Sequence, residues 1–325
     1  MQWRWRSKCV SYRKFGLIST LMKHLIAIIL IAFLCSMDTF AQHSDDVNYK
    51  KQLSVFQDSL NSLSYKIINN TIEPERYNSN YTFIRTLVSA LKISGSFNFS
   101  FDSLKSVSIQ NSPDFQFRIF SWSVLNNDGS YRFYGTVQMN NPDGKLEMFP
   151  LVDYSPAIKN PGDTLTDNNK WYGAQYYKII PVINNVKTPY YILLGWKGNT
   201  IKSTKKVIEV LYFKDGKAFF GMPVFDGDNE RIAQKRIIFE YTRKSSMLLN
   251  YIAENATIVF DHLAPPDIKL KGKKELYGPD FSYDGYKLQN GRWKFDSDLQ
   301  LKNLPTTNDE LFNDPKKIGG SQIKQ

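Results

Sequence analysis

The chain has 325 residues, 42% hydrophobic and 22% charged, with 42 basic side chains against 31 acidic ones. That composition excludes a wholly disordered chain, a collagen-like repeat and a disulfide-dense mini-protein, and the length can bury a core without covalent staples. The two cysteines, Cys9 and Cys35, both fall near the N-terminus.

Met22, Lys23 and His24 lead into the uncharged apolar run Leu25 to Leu34. Those ten residues rise only about 15 Å as a helix, about half the thickness of a bilayer core. A basic flank, an apolar run and then Thr39-Phe40-Ala41 read as a secretory signal peptide cleaved after Ala41, with Met22 the expected start and residues 1–21 an extra basic stretch. A lipid-anchor motif wants a small residue before its cysteine, and Leu34 stands before Cys35, which argues against lipidation. The mature chain, 42–325, then has no cysteine, hence no disulfide and no thiolate, and no transmembrane span is expected in it. Its 36 basic and 30 acidic residues leave +6, too dilute a charge to argue for nucleic acid. The expected location is the periplasm, the outer-membrane surface or the outside of the cell.

Between 45 and 70, Leu53, Phe56, Leu60, Leu63 and Ile67 recur at steps of three and four, which predicts an amphipathic helix. A second helix is predicted over 75–92, with Tyr77, Tyr81, Ile84, Leu87, Val88 and Leu91 on one side and Pro74 just ahead of it, where a first-turn proline costs nothing. The break at Asn69-Asn70-Thr71 makes 42–95 a helical hairpin. After Gly95 the texture changes: Phe97, Phe99 and Phe101 alternate with polar residues, and short β-branched or aromatic runs follow. Strands are predicted at 117–122, 131–139, 145–149, 175–181, 190–196, 207–213, 218–221, 236–241, 247–252, 257–261 and 292–295. Asn127-Asp128-Gly129, Pro142-Asp143-Gly144 and Lys214-Asp215-Gly216 carry hairpin turn chemistry. Short links without helices favour antiparallel meanders, so the fold class is α+β: a helical hairpin followed by a large antiparallel β domain, 96–301, as a meander or sandwich. A propeller-like arrangement is the alternative, and 302–325 reads as a flexible tail.

Phe117-Arg-Ile-Phe-Ser-Trp122, Trp171-Tyr-Gly-Ala174, Tyr176-Tyr-Lys-Ile-Ile-Pro181, Tyr190-Tyr-Ile-Leu-Leu-Gly-Trp196, Arg236-Ile-Ile-Phe-Glu-Tyr241, Ile258-Val-Phe-Asp-His-Leu263 and Tyr277-Gly-Pro-Asp-Phe-Ser-Tyr-Asp-Gly285 span most of 110–300. In these stretches the chain resembles an uncharacterised secreted family of Bacteroidetes-type bacteria. The resemblance implies a diderm host and export through the leader ending at Ala41-Gln42, and brings no activity.

The sharpest candidate site lies at 280–286. Asp280, Ser282 and Asp284 put oxygens at positions 1, 3 and 5, Gly285 falls at position 6, and Tyr286 offers a carbonyl at position 7 of a calcium loop. Leu288 and Gly291 at positions 9 and 12 leave the shell half made, and the competing reading is an Asx turn. No cofactor is expected, with Ca²⁺ the one metal considered. The acidic stretch Asp226-Gly-Asp228-Asn-Glu230 is the other source of oxygens. For catalysis the candidates are Glu240, Asp261 and His262, the last at the end of an apolar strand. Neighbouring strand residues face opposite ways, so Asp261 does not orient the His262 ring by following it in sequence. For ligand stacking the candidates are Trp122, Trp196 and Tyr283.

The expected function is therefore non-enzymatic binding or an envelope-associated role, with a glycan or a protein as partner and no nucleic acid. The alternative is a carboxylate-dependent hydrolase acting on envelope or environmental glycans, with calcium as its support.

Overall fold

The computed structural model describes residues 48–184, 186–227 and 233–300. The predicted signal peptide, the predicted tail and most of the 226–230 acidic stretch lie outside the described residues. The chain divides into two compact units, Met1–Ser54 and Val55–Gln325. In the first, residues 48–54 are helical and Leu53 is buried. All that follows concerns the second.

Two helices come first. Within this unit α1 covers 55–69, and Leu60 and Ile67 are buried where the periodicity puts them. At the turn the Asn70 side-chain oxygen accepts the Ile72 amide at 2.9 Å. Helix α2, Glu73–Leu91, carries Pro74 in its first turn. Its buried face is Arg76, Asn80, Phe83, Leu87, Ala90 and Leu91, rotated from the predicted stripe, and Tyr81 is left exposed. The reason is polar: Arg76 donates to the carbonyls of Asn70, Thr71 and Leu125 and to the Asn127 side chain.

Three sheets follow. The first has the order β1 (Ser108–Asn111), β2 (Phe117–Leu125), β3 (Tyr131–Met139), β4 (Met148–Val152), all antiparallel. In the second, β5 (Thr166–Asp167) pairs β9 (Lys217–Phe220), then come β8 (Ser203–Lys214), β7 (Tyr190–Gly198) and β6 (Gln175–Val182), with β11 (Ile237–Thr242) also on β8. The third runs β10 (Phe225–Asp226), β15 (Arg292–Asp296), β14 (Gly278–Gln289), β13 (Thr257–Ala264), β12 (Leu249–Ile252). Only the short β10–β15 pair is parallel among the strand pairs described. Sheets of four, five and six strands are not repeated blades, so the propeller alternative gives way to a stack.

Strand β7 shows how the stack is held. All nine of its residues are buried, because Tyr191 and Leu193 enter one core and Tyr190, Ile192 and Leu194 enter the other. The first core joins the second sheet to Phe117, Ile119, Phe133 and Val137 of the first sheet, and the other joins it to Ile258, Phe260, Tyr286 and Trp293 of the third. A strand covered on both faces reads as a near-continuous apolar run.

Phe97, Phe99 and Phe101 are not a strand. Residues 96–98 form a 3-10 turn, and the Arg118 guanidinium lies over the rings of Phe97, Phe101 and Phe120 at 5.4, 5.4 and 4.7 Å. Residues 280–286, read from sequence as the front half of a calcium-type loop, lie within the long strand β14, Gly278–Gln289.

Candidate functional site

Helix α2 is tied to the first sheet mainly by its first half. Besides Arg76, Tyr77 donates to the Asn126 side chain at 2.7 Å, and Asn80 accepts the Trp122 indole N–H at 2.7 Å. Further along, where the helix offers Ile84, Leu87, Val88 and Leu91, it stands off the sheet and leaves a cavity of about 260 Å³. The opposite wall is made of Trp122, Tyr134, Thr136, Met148, Pro150 and Val152, with Arg132 at the rim. Burial raises the Tyr134 phenol well above its usual range, with the neighbouring Tyr77 adding to it; Arg132 and Asp153 also line the cavity. An apolar cavity of roughly 150 Å³ already stays dry and takes up benzene. This one has room for more.

A second cavity, about 280 Å³, continues past the C-terminus of α2. Leu91 lines both. Its walls are polar: Ser94, Ser96, Asn98, Gln138, Asn140, Asn141 and Lys145, with Phe97 beside them. Gln138 is buried and held at both ends, accepting from Arg118 Nε at 2.8 Å and donating to Ser96 Oγ at 3.1 Å. Arg118 spends its remaining donors on the Phe99 and Ser96 carbonyls, and burial lowers its pKa to about 9.

The residues singled out from sequence are scattered over all three sheets, with Trp122 in the first, Trp196 and Glu240 in the second, and Asp261, His262 and the 280–286 stretch in the third. Glu240 on β11 accepts from Asn199 Nδ2 at 3.0 Å and Ser203 Oγ at 2.7 Å and pairs with Lys205 at 3.4 Å. Asp261 on β13 accepts the Leu248 amide at 2.7 Å. These two acids are occupied by their own partners in different sheets. Trp122 and Trp196 are buried, each packed edge-on against a neighbouring ring, Phe83 and Tyr131 respectively. Trp196 is packed away in the core, whereas Trp122 borders the cavity under α2. Tyr283 is half-buried on β14.

His262 does find an acid, from across the sheet. Its Nδ1 lies 2.7 Å from Asp284 Oδ2 and its Nε2 lies 4.0 Å from Asp280 Oδ2. The pairing register slips between Asp261 and Leu263, and the residue at that irregularity is His262. The hydrogen bond to Asp284 is the main cause that raises the His262 pKa. Asp280 also accepts the Ser282 amide and hydroxyl at 3.1 and 2.7 Å, the contacts of an Asx turn, while Tyr286 is buried against Phe225. The front half of the proposed calcium loop is thus one stretch of strand. Among the described residues no group of three or more His, Cys, Asp and Glu side chains is placed to hold a metal.

Sequence reasoning also missed a buried ammonium. Lys197 donates to Ser155 Oγ at 3.1 Å and to the carbonyls of Tyr172 and Gly173, both at 2.9 Å, and burial lowers its pKa to about 8. Ser155 in turn donates to Asp153 at 2.6 Å. With all three protons placed, the lysine ties the 171–174 stretch and Ser155 to β7 of the second sheet.

In comparisons with known proteins, no family model matches the chain, and neither does any curated protein or solved structure.

Proposed function

We propose that the protein is an exported, non-enzymatic binding protein of the cell envelope that holds a small apolar ligand between α2 and the first sheet. The observation that carries this reading is the apolar cavity of about 260 Å³ beneath Leu87, Val88 and Leu91. Concave, mostly apolar sites with few polar groups are where small molecules bind. The leader supports export. The reading is favoured over the carboxylate hydrolase because Glu240 and Asp261 are held by separate partners in different sheets, whereas Trp122, a candidate for ligand stacking, lines this cavity.

The test is titration of the purified protein with the neutral fluorescent probe N-phenyl-1-naphthylamine. Saturable, blue-shifted binding at one site is expected. Val88→Phe, which puts a larger side chain into the half-buried wall, is expected to lower that affinity about tenfold or more. Absence of saturable binding, or binding indifferent to Val88→Phe, overturns the reading.

A further inference from the structure

The two cavities are neighbours that share the wall residue Leu91. Along β3, Arg132, Tyr134 and Thr136 line the apolar one and Gln138 lines the polar one. Alternate residues of a strand share a face, so these four stand on one face of β3, with Phe133, Gly135 and Met139 also bordering the cavities, and the cavity that face borders changes from the apolar to the polar one between Thr136 and Gln138. Strand β4 and its approach repeat the change, with Met148 and Pro150 on the apolar side and Lys145 on the polar side.

Resting on the reading above, we propose that the ligand is an amphiphile of glycolipid type. Its hydrocarbon chain fills the cavity under α2, and its uncharged, hydroxyl-rich head fills the polar cavity beyond Leu91. The polar walls are hydroxyls and amides, with Lys145 the only ionisable side chain and no carboxylate among them. Serine hydroxyls, asparagine and glutamine donate and accept at once, which is what neighbouring sugar hydroxyls demand. Gln138 is already oriented by Arg118 and Ser96, so its carboxamide loses little freedom when a ligand arrives. The half-buried Phe97 ring beside these groups supplies an apolar surface for the C–H face of a sugar. A free sugar would leave the apolar cavity empty, and a simple hydrocarbon would leave the polar one without partners.

Calorimetric titration with three probes tests this: monomeric n-octyl β-D-glucoside, 1-octanol and glucose. Octyl glucoside is expected to bind at least about tenfold more tightly than 1-octanol or glucose. Asn98→Ala and Lys145→Ala, at exposed side chains without a hydrogen bond among the described residues, are expected to erase that advantage while 1-octanol binds as before. Equal affinity for 1-octanol and octyl glucoside overturns the head-group assignment and leaves the apolar reading standing. Glucose binding as tightly as octyl glucoside overturns the two-part ligand. Failure of both 1-octanol and octyl glucoside to bind overturns this inference and the apolar reading together.

Discussion

Trp122 on β2 donates its indole N–H to the side-chain oxygen of Asn80 on α2, 2.7 Å away, with both residues buried. The amide nitrogen of Asn80 has no partner among the described residues, so one polar atom is left unmatched to place the other. Phe83, one turn on, meets the Trp122 ring edge-on at 5.0 Å. Together they fix the half of α2 from which the rest of the helix stands off the sheet. Asn80→Leu keeps the branching of the side chain but strands a buried indole N–H, and is expected to cost about 1–3 kcal/mol. Urea unfolding monitored by tryptophan fluorescence reads this directly. An unchanged midpoint would show that the indole has another acceptor and that α2 is not held there.

Arg236 and Glu209 form an ion pair whose side chains are both wholly buried. Burial raises the Glu209 pKa, and the Arg236 partnership works against that. Arg236 also donates to the Pro161 and Thr164 carbonyls, so it ties the 161–166 loop to the second sheet. Arg236→Met leaves a buried carboxylate without its cation and is expected to cost about 3–5 kcal/mol. The double variant Arg236→Met/Glu209→Leu is expected to regain part of that loss, which a double-mutant cycle measures. Additive losses would mean that the pair is not coupled.

The turns were the most legible feature of the sequence. Lys214-Asp215-Gly216 closes the β8–β9 hairpin with Lys214 opposite Lys217, and Asp215 and Gly216 both have positive φ. Strand β4 was misplaced because Pro150 stops a sequence reading, whereas an edge strand tolerates proline and Pro150 pairs with Thr136 there. The error at 280–284 has a cleaner cause. Oxygens at every second position fit a calcium loop, and the same period of two puts side chains on one face of a strand. The site itself was invisible in sequence, since a cavity between a helix and a sheet depends on how far apart long-range contacts such as Asn80–Trp122 hold them.

Gly173 and Gly216 both occupy positive φ, at +76° and +67°, but their surroundings differ. A Cβ at 216 meets nothing within 4 Å, whereas one at 173 would lie 2.8 Å from the Asp153 carboxyl. That carboxylate accepts the amides of Phe133 and Ser155, both at 3.0 Å. Gly216→Ala is expected to cost about 1–2 kcal/mol, the left-handed penalty alone. Gly173→Ala is expected to add roughly 1–3 kcal/mol of overpacking to the same penalty. Equal losses in thermal unfolding would mean that the 171–174 stretch yields without disturbing Asp153.

His262 and Asp284 make stability depend on pH in one direction. The native pKa of His262 is raised, chiefly by its hydrogen bond to Asp284 at 2.7 Å. A raised pKa means the folded chain holds the proton more tightly than the unfolded one. The contribution is therefore complete below about pH 6.5, the unfolded value, and is lost as pH climbs through the raised native value. The ring is 48% exposed, so solvent screening holds the effect to about 1 kcal/mol or less. Asp284 also accepts the Asp298 amide at 3.2 Å, which links the pair to the chain just after β15. Asp284→Asn removes the charge partner and is expected to return the His262 titration, followed by NMR, toward the ordinary imidazole value. The same variant is expected to flatten the loss of stability as pH rises above about 6.5. A His262 titration unmoved by Asp284→Asn would show that Asp280, 4.0 Å from Nε2, sets the proton affinity instead.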